Sequence, residues 1–236
     1  DESSGISDWD EGPLILKYRS TVANGKDSEW NGSIIECTCP TRDSAKKYIP
    51  KFRWLRLTVI GSGSFGTVYE AINVDTGVVL ALKEIKNRET RNGSTYDTIM
   101  EEFELFYRLK HRNIIKYYAL DCRGGFVQLF MEFCGAGSLT KLMNLGPVRD
   151  MRLFRNYARQ VLEGLEFLHS HNILHRDLKP DNILMNSQGT LKLVDFGTYL
   201  NLSGKSRNNE EGTTATQWGN HLVGTPEYMA PEVVVG

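Results

Sequence analysis

Apolar residues recur along this chain at two periods, and the change of period divides it. From Phe52 onward, short β-rich runs at 53–60, 67–74 and 78–85 are separated by Gly-containing punctuation, and Asp75-Thr76-Gly77 reads as a hairpin turn. Residues 96–110 then place Ile99, Phe103, Phe106 and Leu109 on one helical face. Strands are predicted next at 114–120 and 126–131, so five strands and one inserted helix make a small antiparallel layer. After Gly135-Ala136-Gly137 the period lengthens. Phe154, Tyr157, Ala158, Val161, Leu162, Leu165 and Leu168 predict an amphipathic helix to about His169, with that stripe as core. Residues 1–51 are different: a polar mixture of Gly, Ser, Asp and Lys with isolated Trp9 and Trp30. They predict a mostly flexible flank that docks in places, or an arm packing its tryptophans on a neighbouring domain. No internal repeat interrupts this order.

Composition narrows the function classes. The 236 residues are 40% hydrophobic and 24% charged, an ordinary globular balance, with room for a sizeable core. A formal net charge of −1 supplies no global field toward nucleic acid or an anionic membrane, so neither is expected as a partner. The longest apolar stretch, 126–133, is interrupted by Gln128 and Glu132 and is far short of the ~20 residues a membrane span needs. Cys37-x-Cys39 could be half a zinc site, but no second Cys/His pair of ligand spacing follows. Free thiols in a reducing cytoplasm suit the four cysteines better, and the Asn-x-Ser/Thr triplets at Asn31, Asn92 and Asn201 then carry no glycans. The chain opens on Asp1 and stops at Gly236 without a closing element, which reads as a fragment of a longer protein.

Five motifs carry chemistry. Gly61-Ser62-Gly63-Ser64-Phe65-Gly66-Thr67-Val68 joins two strands and opens no helix, which excludes a dinucleotide-binding oxidoreductase. A Gly-rich hairpin can fold over a triphosphate, because missing side chains let backbone N–H groups approach. Phe65 would shield the phosphates and Val68 would pack on a base. Lys83 follows Val68 by 15 residues on the third strand, where it can hold phosphates. It needs an acidic partner: Glu102, nine residues before His111, is chosen over Glu101 and Glu104. In His175-Arg176-Asp177-Leu178-Lys179-Pro180-Asp181-Asn182, Asp177 can accept the proton of an attacking hydroxyl, Lys179 can neutralise a transferring phosphoryl group, and Asn182 can donate oxygen to Mg²⁺. Asp195-Phe196-Gly197, 13 residues past Asn182, supplies a second Mg²⁺ oxygen from Asp195. Gly224-Thr225-Pro226-Glu227-Tyr228-Met229-Ala230-Pro231-Glu232 closes a polar segment, 202–219, that suits a mobile loop.

In this order, over about residues 52–236, these motifs resemble the protein kinase superfamily. Lys179 and Gly224-Thr225 resemble its Ser/Thr branch. Phe52-x-Trp54, Val74-Asp75-Thr76-Gly77, Lys83-Glu84-Ile85 and the hinge Phe130-Met131-Glu132-Phe133-Cys134 look like MAP kinase kinase kinases of the MEK-kinase type. The resemblance implies an α+β, bilobal fold: an N-lobe over 52–131, a hinge over 132–137 and a partial, mostly helical C-lobe over 138–236. It implies ATP and Mg²⁺ as cofactors, MAP kinase kinases as substrates and a cytoplasmic location. It places Ile60, Gly61, Ser62, Gly63, Ser64, Phe65, Gly66, Val68, Ala81, Lys83, Met131, Glu132, Cys134 and Leu184 around the nucleotide. Met131 would be the gatekeeper, Glu132 and Cys134 backbone partners of adenine, and Leu184 its floor. Lys83, Glu102, Asp177 and Lys179 would be catalytic, with Asn182 and Asp195 on the metal. Phe106, Tyr117, His175 and Phe196 would form an apolar spine, with Phe196 packing under the Glu102 helix.

The sequence departs from that pattern in three places. The catalytic loop reads Lys-Pro-Asp-Asn where MEK-kinases more often carry Lys-Gly-Ala-Asn. Leu222 and His221 stand where related kinases often place a phosphorylatable Ser or Thr, so an activating phosphate for Arg176 would fall on Thr213, Thr214, Thr216 or another loop residue. The further C-lobe helices are absent, which would leave Glu232 without its Arg partner and uncover the apolar underside of the long helix. A kinase-like scaffold without catalysis, or an incompetent fragment, is the rival reading. Filled catalytic positions argue against the first.

Overall fold

The computed structural model describes residues 14–15, 32–36, 51–63, 66–90, 93–123, 125–146, 148–203 and 223–235. Two compact units emerge. One comprises residues up to Arg108 together with Tyr117–Met131, and the other Leu109–Lys116 with Glu132–Gly236.

The first unit is built on one twisted sheet. Its strands are β1 (Leu14–Ile15), β2 (Gly32–Glu36), β3 (Lys51–Gly63), β4 (Gly66–Asn73) and β5 (Val79–Lys86). A two-residue pair, β6 (Glu89–Thr90) and β7 (Gly93–Ser94), leads into helix α1 (Thr95–Arg108), and β8 (Tyr117–Arg123) and β9 (Phe126–Glu132) complete it. The order across the sheet is β1-β8-β9-β5-β4-β3-β2. The five expected strands are antiparallel neighbours at its centre. Two short pieces of the polar flank add edges: β2 lies antiparallel on β3, and β1 lies parallel to β8. The β4–β5 turn forms because the Asn73 side chain accepts from the N–H groups of Asp75 and Thr76 at 2.9 and 3.2 Å, and Gly77 takes the positive φ of 72° that closes it.

One face of this sheet buries Trp54, Ala71, Leu80, Leu82, Ala119 and Phe130, with Trp54 edge-on to Phe130 at 5.2 Å. Period-2 alternation brings Glu84 to the buried side as well. Its carboxylate receives Arg56 Nη2 at 2.5 Å and Gln128 Nε2 at 2.7 Å, and the Arg56 guanidinium lies 4.5 Å above the Tyr69 ring. Helix α1 buries Ile99, Phe103 and Phe106, as its period predicts.

The second unit carries small hairpins and one long helix. β10 (Gly137–Ser138), β12 (Ile183–Met185) and β13 (Leu191–Leu193) form a three-stranded sheet, while β11 (Ile173–Leu174) pairs with β14 (Leu200–Asn201). Helix α2 (Leu139–Asn144) is capped by Ser138, and α3 (Met151–Ser170) by Asp150, whose side chain accepts from Arg152 N at 2.7 Å. α4 (Pro231–Val235) is a short final turn.

Two expectations are corrected. The strand predicted from residue 114 begins at Tyr117, because residues 114–116 serve the other unit. Ile114 bridges Leu193 in parallel, Ile115 N–H donates to Leu193 O at 3.1 Å, and Leu193 N–H donates to Asn113 O at 2.8 Å. The stripe predicted as the core face of α3 is only partly core: Leu168 is buried, but Phe154 is 53% and Leu162 is 64% exposed. The buried face instead runs Gln160, Gly164, Leu168. Gly164 allows the close approach, since a Cβ there would lie 3.0 Å from Leu193 Cδ1. Gln160 belongs inside because its Oε1 accepts from Asn113 Nδ2 at 3.2 Å and Leu191 N at 2.9 Å. The other apolar side of α3 is uncovered among the described residues.

Candidate active site

The first unit carries the Gly-rich hairpin, the strand lysine and the helix carboxylate. Bulges after Arg56 and Val59 bend β3 before Gly61 pairs with Val68, Ser62 with Thr67 and Gly63 with Gly66. The three glycines differ in what they answer to. A Cβ on Gly61 or Gly63 would meet nothing within 4 Å, whereas one on Gly66, at φ 122°, would sit 2.2 Å from Glu84 O. Gly66 is therefore demanded by the fold, and Gly61 and Gly63 leave an open surface above the hairpin. Ile60 beside them is exposed. Ser64 and Phe65 lie outside the described residues.

Val68 pairs directly with Lys83, so the two side chains share a face, and Ala81 lies two residues back on that face. On α1, Glu101 and Glu104 are exposed while Glu102 is half-buried. Tyr117 Oη donates to Glu102 Oε1 at 2.6 Å, and the Tyr117 ring stacks parallel to Phe103 at 6.2 Å and meets Phe106 edge-on at 6.0 Å. Glu102 is thus held by the core of its own unit. Met131, opposite Tyr117, is half-buried.

The second unit gathers the catalytic loop. His175 is buried: its Nε2 lies 3.0 Å from Val194 O, and its Nδ1 accepts from Asp177 N at 3.3 Å. One nitrogen donates and the other accepts, which defines the neutral ring, and burial holds its pKa below the usual 6.5. Its ring packs 5.1 Å from the fully buried Phe196. Arg176 and Asp195 both take positive φ, 63° and 61°, in residues with a Cβ. Strained backbone of this kind persists where surrounding contacts over-determine it. Here Arg176 Nε donates to Thr198 O at 2.7 Å, and Thr198 Oγ1 donates to His175 O at 3.2 Å.

Three donors hold the Asp177 side chain. Thr225 Oγ1 donates to its Oδ1 at 2.6 Å, and Lys179 Nζ and Asn182 Nδ2 both reach its Oδ2 at 2.9 Å. Burial works against its charge, but these donors outweigh it and hold the carboxyl below the ordinary carboxylate range. Lys179 Nζ also donates to Thr225 Oγ1 at 2.7 Å, so hydroxyl, ammonium and carboxylate close a triangle. The motifs alone assign Thr225 no chemistry, yet its hydroxyl sits between Asp177 and Lys179. Its neighbour Gly224 supplies the signal: φ is 117°, and a Cβ would lie 2.4 Å from Arg176 O, so backbone contact pins this segment to the catalytic loop.

Asn182 is buried and gives its amide N–H to Asp177 O (2.8 Å) as well as to Oδ2, which commits its nitrogen. Asn182 and Asp195 each carry an oxygen of the hard type Mg²⁺ takes. No group of three or more His, Cys, Asp or Glu poised for a metal occurs among the described residues. Leu184, half-buried on β12, pairs with Ser138 and Lys192. Cys134 is buried, and burial pushes its thiol up to about 12. Cys37-x-Cys39, Trp9, Trp30 and the threonines at 213, 214 and 216 lie outside the described residues.

A family model for the protein kinase domain matches residues 54–236, and the chain belongs to that family. Within that family its sequence is similar to Ser/Thr kinases that include MAP kinase kinase kinases. It is 42% identical over 185 residues to MAP kinase kinase kinase wis4 of Schizosaccharomyces pombe, covering 78% of this chain and 13% of that protein. It is 36% identical over 221 residues to serine/threonine-protein kinase SSK22 of Saccharomyces cerevisiae, covering 87% and 16%. To mitogen-activated protein kinase kinase kinase 4 of Homo sapiens it is 37% identical over 183 residues, covering 78% and 11%. The chain thus spans a sixth or less of these relatives' length. No helix among the described residues is long and apolar enough to cross a membrane.

Proposed function

We propose that the chain transfers the γ-phosphoryl group of ATP in line to a Ser or Thr hydroxyl, with MAP kinase kinases as the protein substrates. The observation that carries this reading is the Asp177 carboxylate, ionised and aimed by Thr225, Lys179 and Asn182. A base held below the usual carboxylate range is a weak one. It suits a loose phosphoryl transfer, in which the hydroxyl proton leaves late and the base mainly orients the nucleophile. Lys179 stands beside Asp177, where a cation offsets charge on the transferring oxygens. Lys83, with Glu102 as its acidic partner, would hold the α- and β-phosphates under the Gly61–Gly66 hairpin, and Asn182 and Asp195 would hold Mg²⁺. The metal, when bound, neutralises phosphate charge. Glu132 and Cys134 would take the adenine edge through their backbone, over Leu184.

The substrate class rests on the likeness to MAP kinase kinase kinases. The test is ³²P transfer from Mg²⁺-ATP to a MAP kinase kinase carrying an inactivating lysine substitution. Asp177→Ala is expected to lower the rate by about 10²–10⁴. Transfer at the wild-type rate by that variant overturns the mechanism. Transfer to generic substrates but never to a MAP kinase kinase overturns only the substrate assignment.

A further inference from the structure

The catalytic reading gives no role to a buried ion pair of the second unit. Lys192, on β13, is 4% exposed, and its Nζ lies 2.9 Å from Oε2 of Glu132, itself half-buried. The same Glu132 oxygen accepts from Lys116 N–H at 3.3 Å, while Glu132 N–H donates to Lys116 O at 2.8 Å. Glu132 is therefore fixed at both its backbone and its side chain. A buried lysine costs desolvation free energy that a hydrophobic residue of similar length would not, so its presence calls for a reason beyond stability.

Position suggests the reason. Lys192 pairs directly across the β12–β13 ladder with Leu184, and directly opposed residues share a face of the sheet. The lysine thus rises beside Leu184 and ends on the carboxylate of Glu132, two residues before Cys134. The Cys134 thiol feels both charges, Glu132 raising its pKa and Lys192 lowering it. One ion pair joins the strand that would floor the adenine to the segment that would bind its edge.

We propose that Lys192 and Glu132 are positioning residues for the adenine end of the nucleotide. Their ion pair sets the distance between Leu184 and the backbone of residues 132–134, so that the Glu132 carbonyl and Cys134 N–H meet the base without reorganising. This rests on the nucleotide-binding reading above. Preorganised groups bind more tightly because ordering is complete before the ligand arrives. Lys192→Met leaves the Glu132 carboxylate buried without its cation, and the segment must shift to bring it to water. Lys192→Met with Glu132→Gln removes both charges together, and the neutral amide keeps a carbonyl oxygen for Lys116 N–H.

The test titrates this chain with adenosine and with Mg²⁺-ADP by calorimetry, with melting temperatures recorded for every variant. Lys192→Met is expected to weaken both ligands by the same factor, about tenfold. The double variant Glu132→Gln/Lys192→Met should return most of that factor. Lys83→Met, at the phosphate end, should weaken Mg²⁺-ADP and leave adenosine within about twofold. A merely structural role would lower the melting temperature without this adenine-specific, pair-rescued pattern. Adenosine binding unchanged in Lys192→Met overturns the proposal, as does a double variant no better than the single one. If the wild-type chain binds neither ligand, the nucleotide reading fails, and the proposal falls with it rather than on its own evidence.

Discussion

Thr225→Val tests how much of the active site's order comes from one hydroxyl. Valine keeps the branched shape and removes Oγ1, which donates to Asp177 Oδ1 at 2.6 Å and accepts from Lys179 Nζ at 2.7 Å. Hydrogen bonds to charged groups contribute about 1.5–3 kcal/mol each. The Asp177 and Lys179 side chains are 12% and 21% exposed, so water replaces part of the loss. Lys179 also still reaches Asp177 Oδ2 directly. A net cost of about 2 kcal/mol in transition-state stabilisation corresponds to about thirtyfold in kcat. In the proposed mechanism the lost bonds orient the base and the cation beside it, so kcat should fall while the KM for ATP stays within about twofold. Thr225→Ser keeps the hydroxyl and should lie within about threefold of wild type. The assay is steady-state transfer to the lysine-inactivated MAP kinase kinase, with melting curves confirming that both variants fold. A Thr225→Val enzyme within twofold of wild type, or a serine variant as damaged as the valine one, refutes the reasoning.

Four further outcomes follow from features already described. Gly66→Ala forces a Cβ to within 2.2 Å of Glu84 O at positive φ, so about 1–3 kcal/mol of stability should be lost, roughly 2–12 °C in Tm. Gly63→Ala, which meets open space, should melt within about 2 °C of wild type and differ only in nucleotide affinity. Cys134, buried and pushed up to about 12, should stay unalkylated by iodoacetamide at pH 8 in the native chain and react in urea, as read by peptide mass spectrometry. His175 is neutral in the folded state with its pKa held below 6.5, so the unfolded chain takes up the proton first. Stability should therefore decline as pH falls below about 6.5 and on through the folded pKa. The drop in Tm between pH 7.5 and 5.5 should be smaller in His175→Phe, and an equal drop in both would show that this ring is not its source.

Much of this was legible locally. The turn at residues 75–77, the strands around it and the face of α1 follow from short-range pattern, because the partners that fix them lie within a few residues. The motifs were legible because their chemistry demands fixed spacing on a continuous loop. What sequence did not disclose depends on partners far along the chain. Ile114 and Ile115 have strand-forming side chains, yet nothing local says that they join Leu193 rather than the strand that follows them. Gln160 looks like an intruder in an apolar stripe until Asn113 and Leu191 supply its partners, 47 and 31 residues away. Nothing near Lys192 in the sequence points to Glu132, its partner in the fold. Thr225 gains its role only when Gly224 brings it against the catalytic loop. Polar residues whose partners are remote are where periodicity fails, since the pattern registers hydropathy and not pairing.

The eight residues from Leu109 to Lys116 have a consequence for how the molecule is made. They sit in sequence between a helix and a strand of one unit but belong to the other. On a ribosome, the first unit has all its strands once residue 132 emerges. The backbone groups of Asn113 and Ile115 must still wait for Leu193, which follows Ile115 by 78 residues. At about 5–20 residues per second, that leaves this apolar segment without its strand for roughly 4–16 s. A nascent chain stalled in that interval would present Ile114 and Ile115 to chaperones, and ribosome profiling of chaperone occupancy would place the binding window there.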